Sequence, residues 1–245
     1  MTTAPLFLLE PLPAAGPARL DGPEGRHAAT VKRLRAGEAV LLSDGRGGLA
    51  HAVVDATGRD TVDLTITGRT DAEPPAPRVL LAQALVKGDR GELAVELATE
   101  AGVDGILPWR AARCIARWEE GPRGEKALAR WRSTVREAAK QARRPWLPVV
   151  EEPLGTAALA RRVAAVDLAI VLHEEASERL ADVSLPAGGE LLLVVGPEGG
   201  VTDAEIDALV AAGAHPVRLG PEVLRASTAA AVALGALGVL TTRWG

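Results

Sequence analysis

Residues 191–205, Leu-Leu-Leu-Val-Val-Gly-Pro-Glu-Gly-Gly-Val-Thr-Asp-Ala-Glu, constrain this chain more than any other stretch. Leu191 to Val195 are five consecutive apolar residues, the pattern of a strand buried on both faces rather than of a half-exposed one. The strand runs into Gly196-Pro197-Glu198-Gly199-Gly200, three glycines around a carboxylate. Thr202 followed three residues later by Glu205 is a capping-box signature and starts a helix. A strand, a glycine loop and a helix in that order are how α/β proteins build a ligand site. Glycine lets backbone approach a ligand closely, and Glu198 stands at the carboxyl end of the strand, where such sites lie.

The rest of the chain divides in two. Over the first seventy residues the strand candidates are short: Ala39 to Leu42 before the turn Ser43-Asp44-Gly45, then Leu49 to Val54 and Thr61 to Thr67. That spacing predicts a small barrel or sandwich. Asp71-Ala-Glu-Pro-Pro-Ala-Pro77 follows, and its prolines mark a linker. Beyond it strands and helices alternate: strands at Val79–Leu85, Gly105–Pro108, Val166–Leu172 and Pro216–Leu219, helices at Gly91–Ala101, Glu125–Arg143 and Thr228–Leu240. Alternation of this kind predicts a parallel sheet covered on both faces. Three strand ends then leave from one edge: Leu172-His173, Gly196 to Gly200, and Leu219-Gly220 with Leu224-Arg225. A single Gly-Pro pair makes only a tight turn; two at successive strand ends, each followed by a helix, point to one pocket able to cradle an adenine or a ribose.

Composition narrows the chemistry. One cysteine, Cys114, allows no internal disulfide, and four scattered histidines give no metal-ligand spacing, so no metal site is expected. The spaced glycines of a dinucleotide fold, a P-loop and a nucleophilic-serine elbow are all absent. No run is long and apolar enough to span a bilayer and no secretion signal is evident, which predicts a cytoplasmic protein. The net charge of −4 hides a polarity: Arg110 to Arg144 holds eleven Lys/Arg against four acids (Glu119, Glu120, Glu125, Glu137), a local +7. Such a segment reads either as a phosphate-binding surface or as the solvated face of a helix. With six aromatics and no tyrosine, base stacking is not the main source of any nucleic-acid affinity; Trp109, Trp118, Trp131 and Trp146 read mostly as packing residues.

Leu193 to Ile206, followed by Leu219-Gly-Pro-Glu-Val-Leu-Arg-Ala-Ser-Thr-Ala229, resembles the RsmE-type ribosomal RNA uridine-N3 methyltransferases of the SPOUT class. His27, Val31, Arg33 and Gly37 match that family's N-terminal pattern, and Lys87, Glu100-Ala-Gly102, Arg113, Gln141 and Arg144 its central part, so the resemblance covers the whole chain. It implies an N-terminal PUA-like β-barrel over residues 1–72 that engages RNA, a linker over 73–78, and over 79–245 a SPOUT α/β domain with a trefoil knot. It further implies S-adenosyl-L-methionine as cofactor, a homodimer, and a substrate that is N3 of one uridine in 16S ribosomal RNA of the assembled small subunit. Residue by residue, it places the cofactor against Leu172, His173, Gly196, Pro197, Gly199, Gly200, Leu219, Gly220, Leu224, Ser227, Thr228 and Ala229. Glu198 and Arg225 are the catalytic candidates, Glu198 also reading as a cap on the next helix and Arg225 as a structural salt bridge. Arg33, Arg113, Gln141 and Arg144 are the RNA candidates. One departure stands out: Ser227 occupies a position where the family often has glutamate, so a carboxylate base is missing there, although a serine can cap the last helix. Three other readings stay open: methylation of a ribose 2′-hydroxyl, an RNA-binding assembly factor without catalysis, and an α/β protein for another nucleotide.

Overall fold

The computed structural model of the chain describes residues 4–118 and 120–244. Glu119, one of the acids set against the basic segment, lies outside the described residues. The chain forms two compact units.

The N-terminal unit comprises β1 (Leu6–Leu8), β2 (Gly16–Leu20), the short helix α1 (Gly22–Arg26) continuing into a π-turn (His27–Val31), β3 (Ala39–Ser43), β4 (Gly48–Thr57) and β5 (Val62–Asp71). They make one five-stranded sheet in the order β1-β3-β4-β5-β2, antiparallel except for β1 beside β3. Val62, Leu64 and Ile66 on β5, and Ala50, Ala52 and Val54 on β4, alternate inward around Phe7 and Leu42, the period of two that a one-sided sheet requires. Two register shifts between β4 and β5 add local twist and bend.

Residues 139–147 group with this unit, whereas the sequence reading placed them in the C-terminal domain. The reason is a set of contacts no local pattern announces. Lys140 Nζ lies 3.2 Å from Glu24 Oε1, with both side chains almost fully buried. The Trp146 indole donates to the carbonyls of Ala72 and Glu73 at 3.2 and 3.1 Å. The Ser43 hydroxyl and the Gly47 amide both donate to Pro145 O. A Cβ on Gly47 would lie 2.6 Å from the Trp146 ring, so this position admits only glycine.

The C-terminal unit runs β6 (Arg78–Ala84), α2 (Arg90–Glu100), β7 (Gly105–Arg110), α3 (Pro122–Gln141), β8 (Val149–Val150), β9 (Leu154–Gly155), α4 (Thr156–Val163), β10 (Leu168–Leu172), β11 (Glu190–Val195), α5 (Asp203–Ala211), β12 (Ala214–Val217) and α6 (Ala226–Leu240), with the end of α3 belonging to the N-terminal unit. Its sheet is ordered β12-β10-β11-β6-β7-β8, with β9 also on β7, and every pairing is parallel. All of β6 after its first residue, and all of β11 after its first, is buried. Side chains of both orientations are therefore covered, as the sequence pattern predicted. The helices pack in pairs, α2 with α6 and α4 with α5.

The chain end is pinned to this unit by a buried charge. Arg243 donates to Asp104 Oδ2 at 2.7 Å, to Pro77 O at 2.5 Å, and to Gly102 O. Asp104 also accepts from the Val79 amide at 2.8 Å, so one ion pair fixes the start of β6. Among the described residues no helix is long and apolar enough to cross a membrane.

Candidate active site

β10 lies between β11 and β12. A chain that leaves β11 on one side of β10 and returns as β12 on the other opens a crevice at the carboxyl ends of the three strands, the place where open parallel sheets bind ligands. A cavity of about 300 Å³ occupies that crevice. Leu172, His173, Gly196, Pro197, Glu198, Gly200, Leu219, Gly220, Leu224, Arg225 and Ala229 line it, so all three predicted strand ends converge. Gly199, Ser227 and Thr228 do not line it. Glu174, Arg218 and Glu222 do, and the sequence analysis did not assign them. Arg218 was recoverable, because it immediately precedes the Leu-Gly-Pro turn.

The loop at the end of β11 is braced from several directions. A Cβ on Gly196 would lie 2.6 Å from Val201 Cγ2, and one on Gly199 would lie 3.2 Å from Arg113 Cβ, so the closeness of these neighbours explains both glycines. Gly200 has φ +74°, a left-handed conformation that favours glycine. The capping box is formed: the Glu205 amide donates to Thr202 Oγ1, and the Thr202 amide to Glu205 Oε2. The other carboxylate oxygen, Oε1, accepts from the Ala112 amide at 2.9 Å and from the Thr156 hydroxyl at 2.8 Å. Thr156 in turn accepts from the Trp109 indole at 3.2 Å. Burial alone would push the Glu205 carboxyl up; the hydrogen bonds from Ala112, Thr156 and Thr202 outweigh it and hold the group below its ordinary value. Arg113, on the loop after β7, donates to Gly199 O at 3.1 Å.

These contacts describe the surroundings of the two catalytic candidates. Thr202 and Glu205 take the helix cap, so Glu198 is free of that duty and instead faces Arg90 at 3.7 Å with its side chain only partly exposed. The Arg225 side chain has no ion pair or hydrogen bond among the described residues and stands on the cavity wall. Arg225 is itself the cap residue of α6, with no side-chain cap bond. Ser227 therefore lies inside the first turn, is 5% exposed, and does not cap the helix as the sequence reading allowed. Cys114 lies on the same loop as Arg113; burial pushes its thiol up, away from the reactive thiolate.

The basic segment is more structural than its composition suggests. Arg110 donates to Pro153 O, Arg130 pairs with Glu92 at 3.4 Å, Arg132 with Glu152 at 2.9 Å, and Lys140 with Glu24. Arg33, Gln141 and Arg144 belong to the N-terminal unit, and Arg113 to the C-terminal one. Arg33, Gln141 and Arg113 are exposed, and Arg144 is half-buried. Trp109 and Trp131 are buried packing residues, and Trp118 sits edge-on to Trp131 at 4.8 Å.

Residues 72–238 match the family model described as an RNA methyltransferase domain, and residues 20–67 the one described as an RNA methyltransferase PUA domain. The chain is 53% identical to ribosomal RNA small subunit methyltransferase E of Mycobacterium tuberculosis over 98% of its own length and 94% of that protein's. Against the Bacillus subtilis protein of the same name the identity is 30%, over 91% of this chain and 90% of the other. Among solved structures, ribosomal RNA small subunit methyltransferase E from Neisseria gonorrhoeae, bound to S-adenosyl methionine, superposes with a TM-score of 0.87 at 28% identity, covering 98% of each chain. A methyltransferase from Legionella pneumophila, solved with the cofactor bound, gives 0.88 at 27% identity over 98% of this chain and 99% of that one.

Proposed function

The chain belongs to the ribosomal RNA small subunit methyltransferase E family, and from that premise we propose that it methylates N3 of one uridine (m3U1498) in 16S ribosomal RNA of the assembled small subunit, with S-adenosylmethionine as donor. The observation that carries this reading is the crevice where both Gly-Pro loops meet, with Glu198 and an unpaired Arg225 on its wall. The residues present fit the cofactor. The cavity is at the lower end of the size range of small-molecule sites, glycines at 196, 200 and 220 keep side chains off its walls, and the apolar Leu172, Leu219 and Leu224 suit an adenine.

Bound S-adenosylmethionine supplies an activated methyl group; everything else falls to the protein. Glycine-loop backbone and the Leu219-Gly220 turn hold and orient. The N3 proton of uracil must leave before N3 has a free lone pair in the ring plane, and of the carboxylates on the cavity wall, Glu174, Glu198 and Glu222, we assign Glu198 to accept it. The resulting negative charge spreads onto both uracil carbonyl oxygens, where the Arg225 guanidinium stabilises it. Ser227 takes no part in proton removal, being buried outside the cavity lining. N3 lies on the pairing edge of the base, so the uridine is bound unpaired or turned out of its stack. Arg33, Gln141 and Arg144 on the N-terminal unit, together with Arg113, contact the RNA, giving a binding constant that falls with salt.

The family reading extends to a trefoil knot in the C-terminal unit, an N-terminal PUA-like unit that engages RNA, a homodimer and a cytoplasmic place of action. The apolar outer residues of α6, Val232, Val239 and Leu240, are exposed and support the dimer. The test is to incubate unmodified small subunits with the protein and S-adenosylmethionine and to analyse the digested RNA by mass spectrometry. 3-Methyluridine is the expected product; a 2′-O-methyl nucleoside, or none, would overturn the reading. Glu198→Gln is expected to lower kcat about 10²–10⁴-fold with the cofactor Kd changed less than about threefold.

A further inference from the structure

A carboxylate cap needs only one oxygen for a helix, yet Glu205 uses both. Oε2 serves Thr202 at the start of α5, while Oε1 is turned the other way, onto the Ala112 amide and the Thr156 hydroxyl. Glu205 is 6% exposed, so its carboxylate depends on these donors in place of water. Ala112 is the residue before Arg113; Arg113 donates to Gly199 O, and its Cβ stands where a side chain on Gly199 would begin, 3.2 Å from the position of an added Cβ. One carboxylate thus ties together the loop that carries Arg113, the start of α4 at Thr156, and Thr202, which follows the glycine loop at the start of α5. Gly199 is turned toward Arg113 while its neighbours Gly196, Pro197, Glu198 and Gly200 line the cavity.

Resting on the methyltransferase reading above, we infer that Glu205 is a positioning residue of the cofactor site: it holds the Arg113 loop so that Arg113 sets the shape of the Gly196–Gly200 wall. Glutamine at this position is not a neutral replacement. Its single carbonyl can serve the Ala112 and Thr156 donors or the Thr202 donors, and its NH₂ then confronts an N–H or O–H on the other side. Thr156→Val removes one donor to Oε1 and leaves the capping box intact.

The test is a double-mutant cycle on S-adenosylmethionine affinity, read by calorimetry on the full chain. Arg113→Ala, Glu205→Gln and Thr156→Val are made singly, the last two are each combined with Arg113→Ala, and melting curves are recorded alongside. Glu205→Gln and Arg113→Ala are each expected to raise the cofactor Kd about tenfold, and the double variant to raise it about 10–20-fold rather than a hundredfold. Thr156→Val is expected to raise it about threefold in the wild-type background and by less than 1.5-fold once Arg113 is gone. Additive effects would mean that Glu205 acts independently of Arg113, and a lowered Tm with an unchanged Kd that it only caps α5; either would overturn the inference while leaving the methyltransferase reading intact. Should Glu205→Gln not fold, the Thr156→Val cycle decides by the same criterion. A wild-type protein that does not bind S-adenosylmethionine overturns the methyltransferase reading and this inference with it.

Discussion

Two loops of this protein begin with the same three residues and are built in opposite ways. Gly196-Pro197-Glu198, after β11, is packed by Val201, gripped by Arg113 and anchored through Thr202 and Glu205. Gly220-Pro221-Glu222, after β12, runs into Val223, Leu224 and Arg225, and every residue from Pro221 to Arg225 is exposed. α6 begins there with no side-chain cap, although α5 has a complete capping box. Both loops line one cavity. In the methyltransferase reading proposed above, the contrast would give them different work: a braced wall against which the cofactor is oriented, and an accessible wall whose side chains remain available to the substrate. The same opening tripeptide therefore says where a ligand site is, and the residues that follow say what each side of it does.

The contrast breaks first at Glu205. Glu205→Ala removes the acceptor for the Ala112, Thr156 and Thr202 donors at once. A fully buried donor left unpaired costs about 1–3 kcal/mol; these donors are part-buried, so a net loss of about 3 kcal/mol for the set is expected after relaxation and partial hydration. That corresponds to a fall in Tm of about 10 °C for a chain of this size. Glu222→Ala, in the other loop, is expected to move Tm by less than about 2 °C. Equal shifts in the two variants, read by calorimetric melting, would erase the difference between braced and open loops.

Next in size comes a pair of glycine substitutions. A Cβ at Gly196 meets Val201 Cγ2 at 2.6 Å, and valine has little rotamer freedom with which to yield. Gly196→Ala is expected to cost about 1–3 kcal/mol and to weaken cofactor binding. A Cβ at Gly220 finds nothing nearer than Glu222 Oε2, at 3.7 Å. Gly220→Ala is therefore expected to stay within about 0.5 kcal/mol of wild type.

How far this contrast was legible in the sequence depends on the range of the interactions behind it. The β11 strand, its glycine loop and the capping box were readable because each is a local pattern, complete within fifteen residues. The convergence of the three strand ends followed from strand–helix alternation, because parallel strands must leave at one edge. The bracing was not readable: Ala112 and Glu205 are 93 residues apart, and no periodicity connects them. Nor was the N-terminal grouping of residues 139–147, which rests on Lys140 with Glu24 across 116 residues and on Trp146 with Ala72. β1 and α4 were missed for a different reason. β1 is three residues long and pairs with β3 far along the chain, and α4 has only eight residues to show a helical period. Nor do charge counts reveal that Arg110, Arg130, Arg132 and Lys140 of the basic segment are engaged with nearby groups.

A smaller effect, and one confined to acid, sharpens the comparison further. Hydrogen bonds hold the Glu205 carboxyl below its ordinary value despite its burial. A group with a depressed folded-state pKa binds fewer protons in the folded than in the unfolded state at mildly acid pH. Its stabilising contribution is thus complete above the unfolded value of about 4.3 and is lost as pH falls through the folded one. Melting temperature is expected to be insensitive to this group from pH 6 to 8, in the range of about two units above that value, and to decline in acid. In Glu205→Gln the acid decline is expected to be shallower; an unchanged acid limb would show that another carboxylate governs it.

The smallest effect on stability is expected where the largest effect on chemistry lies. The Arg225 side chain has no ion pair or hydrogen bond among the described residues, its hydrogen bonds being made through the backbone carbonyl, so Arg225→Gln is expected to shift Tm by less than about 2 °C. Its proposed role begins only when uracil loses its N3 proton, so the loss should appear in kcat, by about 10²-fold or more, with cofactor affinity nearly unchanged. Arg225→Lys distinguishes the two ways a cation can act there. A point charge suffices to offset the anion, whereas spanning a carbonyl oxygen and a phosphate together needs the planar guanidinium fork. Lysine restoring most of kcat would assign Arg225 to charge stabilisation. Lysine behaving as glutamine does would assign it to bidentate orientation, and a Tm loss comparable to that of Glu205→Ala would place Arg225 with the braced wall instead of the open one.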